Sequence, residues 1–167
     1  MVACCSHVGQ RTALETMEYS DNPVILSHSN PRAMWDHPRN VRDEVMKACA
    51  ATRGVIGLNG IGIFLGDNDA TARRYVEHLD YAVQLIGPDH VGLGLDYVFD
   101  MQELDDYVGQ HPELFPPVHG YTSGINMLSP DAIAEIVDAM LARGYADGDV
   151  KKILGGNFLR VAQAVWG

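Results

Sequence analysis

Short apolar runs bounded by turn-forming residues recur along this chain, and between them apolar positions return every three or four residues. Val2 to Cys5 predicts a strand ending at Ser6-His7, and Gln10 to Tyr19, with Leu14 and Met17, predicts the helix that follows it. Pro23-Val24-Ile25-Leu26 is bracketed by Asp21-Asn22 and by Ser27-His28-Ser29-Asn30-Pro31. That is the punctuation of a strand buried on both faces, which favours parallel pairing. Asp43 to Thr52, carrying Val45, Met46 and Cys49, predicts a helix closed by Gly54, and Val55 to Asn59 a third strand. Between Asn68 and Ile86, residues Val76, Leu79, Val83 and Ile86 share one helical face, with Asn68 or Asp69 marking its start and Gly87-Pro88 its end. His90 to Asp96 is a fourth strand, whose Gly92 and Gly94 allow close approach of neighbouring backbone.

Tyr97 to Leu128, with Pro112, Pro116, Pro117, Gly120 and Gly124, shows little period and reads as a long excursion. Ser129-Pro130 then opens a helix with Ile133, Ile136, Val137, Met140 and Leu141 on one face. A last helix after Gly155-Gly156-Asn157 carries Phe158, Val161, Ala162 and Val165. Four strands alternating with helices predict an α/β chain with right-handed crossovers, forming one domain over residues 1–167. Periodicity fits an open parallel sheet and part of a barrel equally well. A complete eight-unit β/α barrel takes about 250 residues, and this chain has 167.

With 47% hydrophobic and 20% charged residues, the composition is that of a globular protein. Asp and Glu outnumber Lys and Arg, leaving a net charge of −10, which repels phosphate backbones and anionic lipid surfaces. Nucleic acid and membrane are therefore not expected partners. Cys4, Cys5 and Cys49 form no disulfide framework and no CxxC metal spacing, which fits a reducing compartment. The first ten residues lack the basic and apolar regions of a signal peptide, and no run reaches the ~18 apolar residues of a membrane helix. A soluble, cytoplasmic protein is expected.

Ligands of parallel β/α folds bind at the C-terminal strand ends, and Ser6-His7, Ser27-His28 and Asp96 stand at three of the predicted ends. His7 and His28 lie one βα unit apart, so they are expected side by side, where neutral imidazoles make good zinc ligands. Arg39, in the loop after the second strand, could clamp a carboxylate or an oxyanion with its two-pronged guanidinium. Asp96 could act as a general base or hold a metal-bound water. Each has a plainer reading: hydrogen-bonded histidines near strand ends, a solvated arginine, a turn aspartate. His37, His78, His90, His111 and His119 read as surface or capping residues, and Cys4 and Cys5 as small buried ones. Val91-Gly92-Leu93-Gly94 is too short for a dinucleotide fingerprint, and the absence of GxSxG argues against serine hydrolase chemistry.

Five segments, in order, are similar to one known family. They are Ser6-His7-Val8-Gly9, Pro23 to Asn30, His37-Pro38-Arg39-Asn40-Val41-Arg42-Asp43-Glu44, His90 to Asp96, and Gly155-Gly156-Asn157-Phe158-Leu159-Arg160-Val161. Together they resemble the membrane-type (renal-type) dipeptidases, binuclear zinc metallopeptidases on a β/α barrel. The resemblance runs nearly end to end and implies four consecutive βα units equivalent to the C-terminal half of a (β/α)8 TIM-type barrel. It implies His7 and His28 as zinc ligands and Arg39 as the residue holding a polar oxygen of a dipeptide substrate. It also implies Asp96 as the acid/base or orienting carboxylate beside the substrate amine.

The departures are equally specific. Family members are longer, and their first half supplies a His-x-Asp pair, a glutamate bridging both metals and a further substrate-binding histidine. At the strand ends here, His7, His28 and His90 are followed two positions on by Gly9, Asn30 and Gly92. Cys4 stands where the family has Asp, and Tyr97-Val98-Phe99-Asp100 differs from its Phe-Asp-Gly. The expectation is a zinc dipeptidase by family whose chain is truncated and inactive alone. The alternative is a catalytically silent half-barrel that acts by association. A generic single-metal hydrolase is the remaining reading. The expected partners are a dipeptide and either a second copy or a missing N-terminal half, because the outer edges of the first and fourth strands would be unpaired.

Overall fold

The four apolar runs form one parallel sheet in the computed structural model, which describes residues 1–167: β1 (Ala3–Cys4), β2 (Val24–Leu26), β3 (Val55–Leu58) and β4 (Val91–Leu93), in chain order across the sheet. Ala3 pairs with Val24, Ile25 with Val55, and Gly57 with Gly92, so the strand ends are level. Helices α1 (Gln10–Tyr19), α2 (Asp43–Ala51) and α4 (Ala72–Ile86) make the connections, with a short α3 (Gly62–Leu65) before α4. After β4 come α5 (Met101–Gln110), α6 (Ile133–Ala142), α7 (Asp147–Lys151) and α8 (Asn157–Trp166). This is an α/β fold of four strands alternating with helices.

The core lies between the sheet and its helices. Val24, Leu26, Ile56, Leu58 and Val91 belong to one cluster of 22 buried residues, with Val45, Met46 and Cys49 of α2, Tyr75, Val76 and Leu79 of α4, and Ile136 and Met140 of α6. Each such side chain contributes roughly 1.5–3 kcal/mol when removed from water. The stripe Ala72, Tyr75, Val76, Leu79, Ala82 dictates which face of α4 is buried. Its cap is Thr71, whose hydroxyl accepts from the Arg74 N–H, rather than Asn68 or Asp69. Gly87, at φ +82°, ends it.

The concave face is built from missing side chains. A Cβ at Gly57 or at Gly94 would collide with the Ser27 carbonyl oxygen, and one at Gly92 would meet the Phe158 ring at 2.7 Å. β2 and β4 are not neighbours, yet Ser27 lies against Gly94, so the sheet curls tightly, as an arc of a barrel must. Phe158, at the start of α8, fills the hollow that side chains at 57 and 92 would otherwise occupy.

Three helices depart from the expectation. The excursion contains α5, capped by Asp100, whose carboxylate accepts from the Glu103 N–H at 3.0 Å. Only Val108 of α5 is buried, so its apolar stripe is too thin to show as a period. α3 and α7 are too short for any periodic signal. Cys4, expected to be buried, is exposed, and its thiol faces the Ser27 hydroxyl at 3.2 Å.

Candidate active site

The C-terminal ends of β1, β2 and β4 deliver His7, His28 and Asp96 to one place. His7 Nε2 and His28 Nε2 are 2.7 Å apart with ring centroids at 4.8 Å. Asp96 Oδ2 lies 3.9 Å from His28 Nε2, and Arg39 Nη2 lies 3.2 Å from His7 Nε2. All four side chains singled out from sequence are thus brought together. His7 and Asp96 leave their strands at φ +68° and +57°. L-residues other than glycine are uncommon in this region, and such residues gather at functional sites.

The sites of attachment are rigid. The Ser6 hydroxyl accepts from the His28 N–H at 3.1 Å and meets the Ser29 hydroxyl at 3.2 Å, locking the end of β1 to the end of β2. The Ser27 hydroxyl lies 2.9 Å from His28 Nδ1 and orients that ring. Burial, then the Arg39 charge, then His28 hold the His7 pKa below the ordinary histidine value. Burial also lowers that of His28, against the opposing pull of Asp96. Neutral imidazoles are the form that binds metal, and here the His7 Nε2 is engaged by His28 Nε2 and by the Arg39 guanidinium. Arg39 is steadied from below by the Phe64 ring, 5.5 Å from its guanidinium carbon.

Two nitrogens on one tetrahedral zinc sit about 3.3 Å apart at bond lengths of about 2.0–2.1 Å; the two Nε2 atoms here are in hydrogen-bond contact at 2.7 Å and would move apart by about 0.6 Å to share a metal. By ligand type and by their facing Nε2 atoms, the two rings fit the imidazole side of a zinc site. No group of three or more His, Cys, Asp or Glu side chains is arranged to hold a metal ion. The only His-x-Asp triplet in the chain, His78-Leu79-Asp80, lies within α4, with His78 fully buried and its Nε2 donating to the Leu65 carbonyl at 2.9 Å.

Several residues that shape the site were not expected to do so. Asn59 donates from its side-chain amide to Asp96 Oδ2 at 2.9 Å, and its backbone is bound on both sides by the buried Asn30. His37 is buried rather than on the surface. Its Nδ1 accepts from the Arg39 N–H at 3.1 Å and its Nε2 donates to the His119 carbonyl at 2.9 Å, tying the arginine's loop to the excursion. Asn59 reads locally as the last residue of the third strand and Asn30 as part of the polar turn after the second, so neither is expected at the site from sequence.

The membrane dipeptidase family (peptidase family M19) matches residues 1–166. Among curated relatives, dipeptidase tcpJ of Claviceps purpurea (strain 20.1) is 32% identical over 168 residues, covering 99% of this chain and 35% of that protein. The "uncharacterized protein in pqqA 5′ region" of Klebsiella pneumoniae is 30% identical over 166 residues, covering 96% and 54%. Among solved structures, an amidohydrolase from Pseudomonas aeruginosa is similar with a TM-score of 0.80 at 28% identity, over 100% of this chain and 53% of that one. A Rhodobacter sphaeroides metallo peptidase, liganded with a phosphinate mimic of the dipeptide L-Ala-D-Ala, shares the fold with a TM-score of 0.70 at 22% identity, over 96% and 41%. The chain thus spans about half, or less, of the relatives it matches. With strand-end histidines in place and the family pattern running from residue 1 to residue 166, this chain belongs to the membrane dipeptidases.

Proposed function

We propose that these residues carry one half of a zinc-dependent dipeptidase site, acting on a dipeptide when the other half of the barrel is supplied. The observation that carries this reading is the meeting of His7, His28, Arg39 and Asp96 within contacts of 2.7 to 3.9 Å at the strand ends. His7 and His28 would hold zinc, which when bound supplies polarisation of the peptide carbonyl and a more acidic water. Arg39 binds a carboxylate or carbonyl oxygen of the dipeptide through its guanidinium. Asp96, aimed by Asn59, receives the substrate ammonium or a proton released in hydrolysis.

The chain by itself is silent in this reading, because two imidazoles without a third protein ligand leave the metal weakly held. Its partner is either a chain supplying the remaining strands or a second copy, since β1 and β4 are the outer strands of the sheet. A cytoplasmic setting suits three free cysteines, one of them exposed. No helix is long and apolar enough to cross a membrane.

The test is a zinc-supplemented assay of glycyl-leucine hydrolysis by the pure chain, with and without the separately produced N-terminal half of the Klebsiella relative. The expected result is no turnover alone, chelator-sensitive turnover on mixing, and its loss in His28→Ala. Chelator-sensitive turnover by the chain alone would show that its own side chains complete the site. Turnover on mixing that survives His28→Ala would sink the assignment.

A further inference from the structure

Under the excursion, next to Arg39 and Asp96, lies a cavity of about 170 Å³ lined by 13 residues, ten of them apolar. The three that are not apolar are His7, Arg39 and Asp96. The hollow therefore opens on the site and nowhere else presents a charged group. Its walls include Ile61, Phe64 and Ile125 of a buried cluster separate from the main core, with Val108 of α5 closing one side and Phe115 and Met127 lining the rest.

These walls are tied by backbone, so the cavity is formed before any ligand arrives. Gly62 N–H donates to the Asn126 carbonyl at 2.8 Å and Leu128 N–H to the Gly60 carbonyl at 2.9 Å. The Asn68 side chain grips the same loop, donating to the Gly124 carbonyl at 3.0 Å and accepting from the Asn126 N–H at 2.9 Å. An apolar cavity of about 150 Å³ is large enough to take benzene. One phenyl or branched aliphatic group fits here, and two do not. Apart from the Tyr121 hydroxyl, the wall away from the mouth offers a polar side chain no partner for the water it would lose.

We propose that this cavity receives one large apolar side chain of the dipeptide, so that the site selects dipeptides containing a leucine- or phenylalanine-sized residue over glycyl-glycine. The assignment rests on the dipeptidase reading above, because Arg39 and Asp96 at the cavity mouth are the groups that meet the charged parts of the substrate. Burial of one such side chain makes the expected preference roughly 10- to 100-fold.

The experiment uses the full chain with ¹³C-labelled methyl groups, titrated with leucyl-glycine, glycyl-leucine, glycyl-glycine, 3-phenylpropionate and propionate. The expected result is at least tenfold tighter binding of one leucyl dipeptide than of glycyl-glycine. Ile61, Val108 and Ile125 methyl signals should move with 3-phenylpropionate but not with propionate. Val108→Trp, which fills the cavity, should bring the dipeptide ratio toward one; Leu104→Trp, at a half-buried position on the same wall, does so if the first variant does not fold. Equal affinity for all three dipeptides would overturn the proposal and leave the dipeptidase reading standing. Methyl shifts with 3-phenylpropionate, but no binding of any dipeptide either by the chain alone or by its zinc-supplemented mixture with the N-terminal half of the Klebsiella relative, would overturn the dipeptidase reading and this substrate assignment with it.

Discussion

Asn59 holds Asp96: its side-chain amide donates to Asp96 Oδ2 at 2.9 Å, while its own Oδ1 accepts from the Ile61 N–H at 2.7 Å. The amide is thereby fixed at both ends, and Asn30 fixes the backbone of residue 59 through two bonds of 3.0 Å. Asn59 is a positioning residue for the carboxylate. Asn59→Ala leaves the buried Ile61 N–H without its acceptor, which costs about 1–3 kcal/mol, and frees Asp96 to rotate. Urea denaturation should show that loss. Dipeptide turnover in the reconstituted barrel should fall by about 10–100-fold, the usual cost of removing a supporting partner, with Asn59→Gln recovering part of it. Unchanged turnover in Asn59→Ala would show that Asp96 needs no support.

His78 makes the fold acid-sensitive. It is fully buried, with Nδ1 unpartnered, and burial pushes its pKa down to about 4 from the ordinary 6.5. The unfolded chain therefore takes up a proton between pH 6.5 and 4 that the folded chain refuses. Stability is at its full value above pH 6.5 and declines by about 1.4 kcal/mol per pH unit as pH falls through that window. Denaturation midpoints of wild type and His78→Leu between pH 7 and 5 check this. The variant should lose that part of the slope, and parallel curves would remove His78 as its source.

Gly94 controls the curl of the sheet. A methyl group at residue 94 runs into the Ser27 carbonyl, immediately before the ligand candidate His28. Overpacking of this kind costs about 1–3 kcal/mol, and relief requires the ends of β2 and β4 to separate. Gly94→Ala should lower the thermal midpoint and also weaken zinc retention measured by equilibrium dialysis. The control Gly109→Ala, where a Cβ meets nothing within 4 Å, should do neither.

The sheet ends in two edges, β1 on one side and β4 on the other, and Ala3 and Cys4 of β1 are exposed. Edge strands with free N–H and C=O groups pair with other chains. Light scattering on the pure chain should report a dimer or larger species whose fraction grows with concentration. A monomer at the highest soluble concentration would count against pairing between copies.

What could be known without coordinates was whatever a short stretch of chain decides for itself. β2 and β3 announced themselves as short apolar runs between polar turns, β3 being covered on both faces and β2 wholly on one, and α4 because one stripe of apolar residues repeats over fifteen positions. His7, His28 and Asp96 stood out because the end of a parallel strand is a known place for chemistry, and strand ends are read from local composition. Distance partners are not local. Asn59 looked like no more than the end of the third strand until the pairing of β3 with β4 set it beside Asp96. His37 and His78 looked like surface residues because the carbonyls that satisfy them, from His119 and Leu65, are brought close only by the packed chain. The apolar cavity is the clearest case. Its apolar walls come from three separate stretches, around residues 61–64, 98–115 and 121–127, with His7, Arg39 and Asp96 at its mouth, and the hollow exists only once those stretches are held together. Sequence by itself determined the main elements and which polar side chains stand at the strand ends, since hydrophobic period and strand-end position are properties of neighbours along the chain. Tertiary structure decided which polar groups are buried, which residues hold the Asp96 carboxylate and where an apolar hollow lies beside it, since each depends on atoms far apart in sequence meeting in space.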